Sequence, residues 1–411
     1  MTMFGLKEAV VAPLVRAVAD IEDAPRELTG EEVSDRFARA TWTGIAEPGD
    51  RMAGLLVSVL GPCPALTAVV ERWDGMRVLK SLVEAGVDEV TDDEVTEALG
   101  RWQPRLQSGP ALIALRQAAR FGVRLAIPGE AGWPDGLADL GVHAPIALWV
   151  RGNQSTLAST DRSIALVGAR AATGYGEHVT MEASAGLVDR GCTIVSGAAY
   201  GIDGMAHRAA LASSGQTVAI LAGGVDRFYP SGHDALLTRI VEAGAVVSEL
   251  PCGAAPTKWR FLQRNRLIAA VTQATIVLEA GWRSGSLNTA GHAAALGRAL
   301  GAVPGPVTSA ASAGCHRLIR EFGAICVTNV DEMAELMPFA SVAPVADGPD
   351  GRSADQTRVL DALSARSPRA VDDIARRAGT STSQVQAALG PLELEGLVAE
   401  RVGGWVKTPL A

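Results

Sequence analysis

Lysine is almost missing from this 411-residue chain: Lys7, Lys80, Lys258 and Lys407 are the four among 37 basic side chains, so positive charge is carried by arginine. Guanidinium groups suit bidentate phosphate contact, although a GC-rich coding bias gives the same excess, and that plainer source carries more weight. The formal charge of −8 excludes a protein that coats duplex DNA through its overall charge. It leaves room for a local basic groove, because net charge and local field are separate matters. Cysteine is scarce too. Cys63, Cys192, Cys252, Cys315 and Cys326 form an odd set with no CxxC pair, which excludes zinc-ribbon spacing and a disulfide framework and fits a reducing cytoplasm. The N-terminus shows no basic stretch followed by an apolar one and a cleavage site, and no apolar run approaches the roughly 20 residues of a membrane span. A soluble, cytoplasmic protein with no membrane association is the expectation.

Signatures of cofactor binding and hydrolysis are missing as well. The loop from Gly168 to Gly176 lacks GxGxxG spacing, no GxSxG occurs, and His233, His292 and His316 stand alone in sequence. No catalytic residue, metal site or cofactor is expected.

What is present is an ordinary globular balance, 48% hydrophobic and 20% charged, in a chain long enough for two or three domains. From residue 1 to about 122 helical periodicity dominates, over Glu31–Ala40, Arg51–Leu60, Ala65–Arg72, Met76–Ala85 and Pro110–Ala119. This region reads as a small helical module or a cover for the main domain. Residues 123–152 suggest two short strands, near Leu125 and Leu148, and a helix near Leu137, together forming an edge of the next domain. From Ser163 to about Leu336 a short apolar strand, a small-residue loop and a helix repeat. Strands are expected at Ile164–Val167, Thr193–Val195, Val218–Leu221, Ala245–Val247, Thr275–Leu278, Ala299–Val303 and Ala324–Val327. Helices are expected at Gly176–Arg190, Gly204–Ser213, Asp234–Ala243, Asn265–Val271, Leu287–Leu296 and His316–Phe322. Strands alternating with helices imply parallel βαβ units, and the lack of polar alternation within the strands implies a sheet covered on both faces. The fold class is therefore α/β, a Rossmann-like, doubly wound, mainly parallel sheet.

Residues 338–355, rich in Pro, Ala, Gly, Ser and Asp, read as a flexible linker. Gln356–Ser364, Val371–Ala378 and Ser383–Glu395 then read as three helices, with a hairpin over Leu397–Val406, which makes a winged helix. Thr380 or Ser381 is the expected N-cap of its third helix. The domains are thus 1–122 helical, 123–337 Rossmann-like, 338–355 linker and 356–411 winged helix.

Candidate functional residues gather where strands end. Gly168 and Arg170 follow the first strand of the repeat, and Ser196-Gly197-Ala198 follow the second. Exits of this kind point backbone N–H groups at one rim of a sheet, where open α/β folds bind anions. Asp203 is placed to cap the next helix, with His207 packed one turn behind it rather than forming an acid–base couple. Lys258-Trp259-Arg260-Phe261 and Arg264-Asn265-Arg266 interleave cations with aromatics, as single-strand grooves do, with phosphates on cations and bases on rings. At least one of Trp259 and Phe261 is expected to anchor the helix to the sheet instead. Arg264 and Arg266 fall on different helix faces, so one is expected in the groove and the other on a carboxylate. Glu279 ends a strand, Arg283-Ser284-Gly285-Ser286 open a helix, and Val303-Pro304-Gly305-Pro306 close the rim. The result is an anion-binding edge with no nucleophile–base pair.

These residues, in this order, resemble the DprA (Smf) family, the DNA-processing proteins of natural transformation. The resemblance covers roughly residues 110 to 335 and rests on Val167-Gly168-Ala169-Arg170, Ser196 to His207, Gly224 to Pro230, Phe261 to Arg266, and Ser284 to Ala290. It implies a non-catalytic domain that binds single-stranded DNA, forms a homodimer, protects the incoming strand and helps load RecA recombinase in competence and homologous recombination. The implied DNA site is Gly168, Arg170, Ser196, Gly197, Ala198, Gly224, Lys258, Phe261, Arg264, Asn265, Arg266, Ser284, Gly285 and Ser286. Two positions depart from the pattern: Ala198 stands where leucine is common, and Ala171 where lysine is frequent. The N-terminal region lacks a clear helix-hairpin-helix. The third helix of the winged helix offers Gln384, Gln386, Glu393 and Glu395 but no base, so independent duplex binding is not expected. Two other classes stay open. One is a nucleotide-processing enzyme of the lysine-decarboxylase-like group, whose PGGxGT segment and catalytic glutamate find no match in Glu279–Ser286. The other is a transcription regulator acting through the winged helix.

Overall fold

Strands such as Ile164–Val167 carry apolar side chains at every position, so a stable structure has to cover both faces of the sheet. The computed structural model, which describes residues 2–19, 27–158, 162–337, 354–394 and 396–408, does so. Its main sheet has nine strands: β1 (Val123–Ala126), β2 (Leu148–Gly152), β3 (Ser163–Gly168), β4 (Thr193–Ser196), β5 (Thr217–Ile220), β6 (Ala245–Ser248), β7 (Ala274–Glu279), β8 (Ala299–Ala302) and β9 (Ile325–Cys326). Their spatial order is β9-β8-β7-β3-β4-β5-β6-β2-β1. Strands β3 to β9 pair in parallel, while β2 runs antiparallel to β6, and β1 antiparallel to β2. Period-two geometry sends Ile164 and Leu166 into one core, with Leu187 and Ile202, and Ala165 and Val167 into the other, with Leu267 and Ile268. Each fully buried Leu or Ile is worth about 1.5–3 kcal/mol.

Six helices matter for the rim: α1 (Gly174–Asp189), α2 (Ile202–Ala212), α3 (Asp234–Ala243), α4 (Lys258–Ala270), α5 (Ser286–Ala295) and α6 (Ala313–Glu321). Five lie close to the spans read from sequence. The fourth starts at Lys258 rather than Asn265, because Thr257 caps it: its hydroxyl accepts the Arg260 N–H at 3.3 Å. The segment Lys258–Phe261 is therefore helical, and its cations and rings face different ways.

Among the described residues the N-terminal segment contains the expected helices and two further α-helices, Glu8–Val18 and Asp92–Trp102. Pro13 interrupts the pattern of the first, and a Thr91/Glu94 capping box starts the second. Trp42 and Trp102 meet edge to face at 5.0 Å in their core. Val11, Phe37 and Leu115 join Trp149, Leu221 and Leu237 in a core that belongs to helices and sheet alike. By its contacts the chain forms two compact units, 1–340 and 341–411. The helical segment and the sheet are parts of the first.

The second unit has helices Ala354–Ala362, Val371–Ala378 and Thr382–Leu394, then a hairpin of Val398–Arg401 with Gly404–Lys407. Arg369 bridges to Trp405 beside the hairpin, and Val359, Ile374, Val385, Leu392 and Val398 form the core. This is a winged helix. Ser381, not Thr380, caps its third helix by accepting the Gln384 N–H at 3.3 Å. Glu395 and the expected linker as far as residue 353 lie outside the described residues.

Candidate nucleic-acid interface

In a doubly wound sheet the crevice opens where strand order reverses, outside the carboxyl ends of the strands. Here the reversal lies at β3, which has β4 on one side and β7 on the other. A cleft of about 500 Å³ sits at this point. The β3 exit gives Gly168, Ala169 and Arg170, and the β7 exit gives Gly281 through Ser286. Helix α4 crosses the opening with Phe261, Arg264, Asn265 and Ile268, positions i, i+3, i+4 and i+7 of one face.

Arg170 is exposed and has no ion-pair partner among the described residues; its guanidinium carbon lies 5.1 Å from the Phe261 ring centroid. Tyr229 packs against the other part of that ring at 5.7 Å. A cation and two rings thus stand together at the mouth.

Beneath them Arg264 is buried, 6% exposed, and donates to the Ile220 carbonyl at the end of β5. Burial lowers its pKa to about 10, partly opposed by Asp203, so it stays charged at neutral pH. Burial pushes the Asp203 carboxyl up, against the pull of Arg264 and of the Ala199, Gly168 and Gly197 N–H groups. Asp203 does not cap α2, which begins after Gly201 without a side-chain cap. It collects N–H groups from the two rim loops instead, the Ala199 N–H at 3.4 Å, and so ties both loops to Arg264. His207 is buried behind it with Nδ1 2.7 Å from the Thr217 hydroxyl.

The far wall is the start of α5. Ser284 and Ser286 hydroxyls lie 2.8 Å apart, and Asn265 Nδ2 donates to Asn288 Oδ1 at 3.1 Å. Free N–H groups at a helix start favour an anion. Glu279, the carboxylate at the end of β7, is 2% exposed and committed: it accepts the Thr173 N–H at 2.8 Å and the Thr173 hydroxyl at 2.6 Å.

The structure therefore brings Gly168, Arg170, Phe261, Arg264, Asn265, Ser284, Gly285 and Ser286 to one cleft. Other expected contact residues are placed elsewhere. Arg266 is 3% exposed and spent on Glu249 at 2.8 Å and the His143 carbonyl at 3.0 Å. Ser196 is buried and donates to the Leu166 carbonyl at 2.6 Å, and Ala198 is buried at φ +53°. Gly224 is buried and donates to the Ala254 carbonyl, so its segment contributes Tyr229 instead. Gly197 acts indirectly: a Cβ there would coincide with the Arg264 guanidinium. Lys258 is exposed on the first turn of α4 and does not line the cleft. Trp259, 56% exposed, and Arg260, paired with Glu47 at 2.9 Å, face away from the cleft as well.

Sequence reasoning passed over Asp203 as an organiser of the rim and over Trp282; it placed Arg283 on the rim but not among the DNA contacts, and both Trp282 and Arg283 line the cleft. Adjacency of Trp282-Arg283 to Ser284-Gly285 was the signal that could have found them. Among the described residues no three His, Cys, Asp or Glu side chains are grouped to hold a metal, and no single helix is long and apolar enough to cross a membrane.

The pattern that defines DNA recombination-mediator protein A matches residues 124–338, and that of the DprA winged helix domain matches residues 343–404. A putative DNA processing protein DprA of Mycobacterium tuberculosis is 40% identical over 377 residues, 88% of this chain and 91% of the relative. Protein Smf of Escherichia coli is 39% identical over 272 residues, 64% and 72% of the two chains. The crystal structure of DNA processing protein A from Streptococcus pneumoniae aligns with a TM-score of 0.57 at 27% identity, covering 74% of this chain and 98% of that one.

Proposed function

The chain belongs to the DprA/Smf family of DNA-processing proteins, and from that membership we propose that its sheet rim grips single-stranded DNA without chemistry. The observation that carries this reading is Arg170 lying 5.1 Å over Phe261 at the mouth of a cleft floored by Arg264. A phosphate meets the guanidinium and a base meets the ring, which is how sequence-tolerant single-strand grooves work. Non-catalytic binding is supported by the commitment of Glu279 to Thr173, which leaves it no free oxygen for acid–base work in the cleft. That same commitment disfavours a nucleotide-processing enzyme built around this glutamate. The cellular role consistent with such binding is cytoplasmic: a homodimer protects incoming DNA in natural transformation and promotes RecA loading.

Fluorescence anisotropy with single- and double-stranded oligonucleotides of equal length, over a salt series, tests the reading. Single strands are expected to bind more tightly, with log affinity falling by about 0.7 per neutralised phosphate against log salt. Arg170→Ala should weaken single-strand binding about 5- to 100-fold, the range of one lost cation-and-stack contact. Unchanged affinity in that variant would overturn the site, and release of base from nucleoside monophosphates, abolished by Glu279→Gln, would overturn the absence of chemistry.

A further inference from the structure

A strand seated in this cleft has to leave it, because about 500 Å³ is the size of a small-molecule pocket. One side of the cleft ends at Trp282, which lines it and is 55% exposed. Tryptophan is highly buried on average, so an indole held open at the lip of a binding cleft asks for a partner. One neighbour is already in place. The guanidinium carbon of Arg317, on α6, lies 4.9 Å from the Trp282 ring centroid and 5.3 Å from that of Phe322. Glu321, one turn further along α6, fixes that guanidinium by accepting from its Nε at 2.8 Å. The carboxylate also offsets the charge, so Arg317 backs the indole more than it draws phosphate.

The arrangement is rigid at its base. The Gly314 N–H in the first turn of α6 donates to the Ala280 carbonyl at 2.7 Å, and a side chain at Gly314 would strike the Gly281 carbonyl. Helix α6 is thereby seated on the loop that presents Trp282. Arg283 follows the indole on its loop and Arg320 lies three residues after Arg317 on α6, both exposed and without an ion-pair partner among the described residues. A guanidinium beside an aromatic ring thus occurs here as it does at the cleft mouth.

We propose that Trp282, backed by Arg317, is a second base-stacking platform, on which single-stranded DNA rests as it leaves the cleft toward α6. The proposal rests on the cleft being a single-strand groove and adds a direction to it. A strand held at Arg170 and Phe261 passes the α5 N-terminus and then meets Trp282. Longer strands, which continue over the indole, gain more from it than short ones.

Anisotropy with two labelled oligothymidines, about 5 and about 20 nucleotides long, tests this on the full chain, bracketing usual single-strand site sizes. Trp282→Ala should weaken binding of the longer strand about 5- to 100-fold and weaken the shorter strand distinctly less, and Trp282→Phe should recover most of the loss. Unchanged thermal melting shows that the variant is folded, as expected for an exposed side chain. Wild-type affinity of Trp282→Ala for the longer strand, with Arg170→Ala weakened for both, overturns the platform and spares the cleft. Absence of single-strand binding by the unaltered protein overturns both. Equal weakening for the two lengths confines the role of Trp282 to the nucleotides held in the cleft and overturns the exit path. A change in molecular mass by light scattering without change in length dependence assigns the indole to contact between copies of the chain and also overturns it.

Discussion

The two units of this chain bury different things. In the second unit every buried side chain among the described residues is apolar, from Val359 to Val406. Its charges are solvated or paired at the surface, as Arg376 and Arg377 are with Asp373. The first unit buries Arg36, Asp203, His207, His233, Arg264, Asn265, Arg266 and Glu279, and most of these lie toward the carboxyl rim of the sheet. Buried charges seldom add stability over an apolar replacement. Their concentration at one rim says that they hold loops and a guanidinium in position, and that stability there is given up for placement. The winged helix, with no such groups, is a conventional apolar core under a surface whose third helix presents Gln384 and Gln386 but no base.

The largest effect that sharpens this contrast is expected at Arg264. Arg264→Ala removes the buried cation whose field acts on the Asp203 carboxyl and leaves the Ile220 carbonyl without this donor, a loss of about 1–3 kcal/mol. The loss should shrink as pH falls, because burial already pushes the Asp203 carboxyl toward its neutral form. Arg377→Ala, which opens a solvated pair at 2.9 Å, should shift the melting of the second unit too little to resolve. Denaturant unfolding followed by unit-specific probes measures both, and equal losses would erase the distinction.

A second, pH-linked effect is expected at His207. Burial, with His233 and Arg264 nearby, lowers its pKa from 6.5 to about 3. The folded chain keeps it neutral, while the unfolded chain protonates it below about 6.5. Its contribution to stability is therefore complete above that pH and is lost as pH falls, by up to about 1.4 kcal/mol per unit. His207→Gln should flatten the acid slope of the first unit by up to one proton and leave that of the second unchanged. Parallel slopes for variant and wild type would show that His207 is not held neutral.

How much of this contrast is legible in the sequence depends on where the information lies. Strands of the sheet were legible because doubly covered strands are apolar throughout, and the winged helix because its three amphipathic periods and Gly403-Gly404 turn are local. The rim was legible as a set of strand exits, which is why Arg170, Phe261, Arg264 and Ser284 fall in one cleft. Partner choice was not, since it depends on which helix face meets what. Arg264 and Arg266 are two residues apart, yet one faces Asp203 and the other Glu249. The early start of α4 was legible in principle through Thr257, whose hydroxyl caps the first turn. Asp203 was read as a helix cap because its position fits one; only the fold shows that the N–H groups within reach belong to the rim loops.

The smallest expected effect tests whether the second unit adds to DNA binding at all. Arg376 and Arg377 lie on the middle helix, exposed, and share Asp373 at 3.2 and 2.9 Å. Replacing both by alanine in the full chain removes two cations whose field a carboxylate already offsets, at a surface where salt screens what is left. Single-strand affinity should then change by less than about twofold, against the roughly 5-fold or more expected for Arg170→Ala. Equal losses would mean that the winged helix shares the phosphate contacts, and that apolar burial beneath a solvated surface suffices for binding. A loss confined to double-stranded oligonucleotides would instead point to a separate duplex-binding role for this unit, through its middle helix rather than the third.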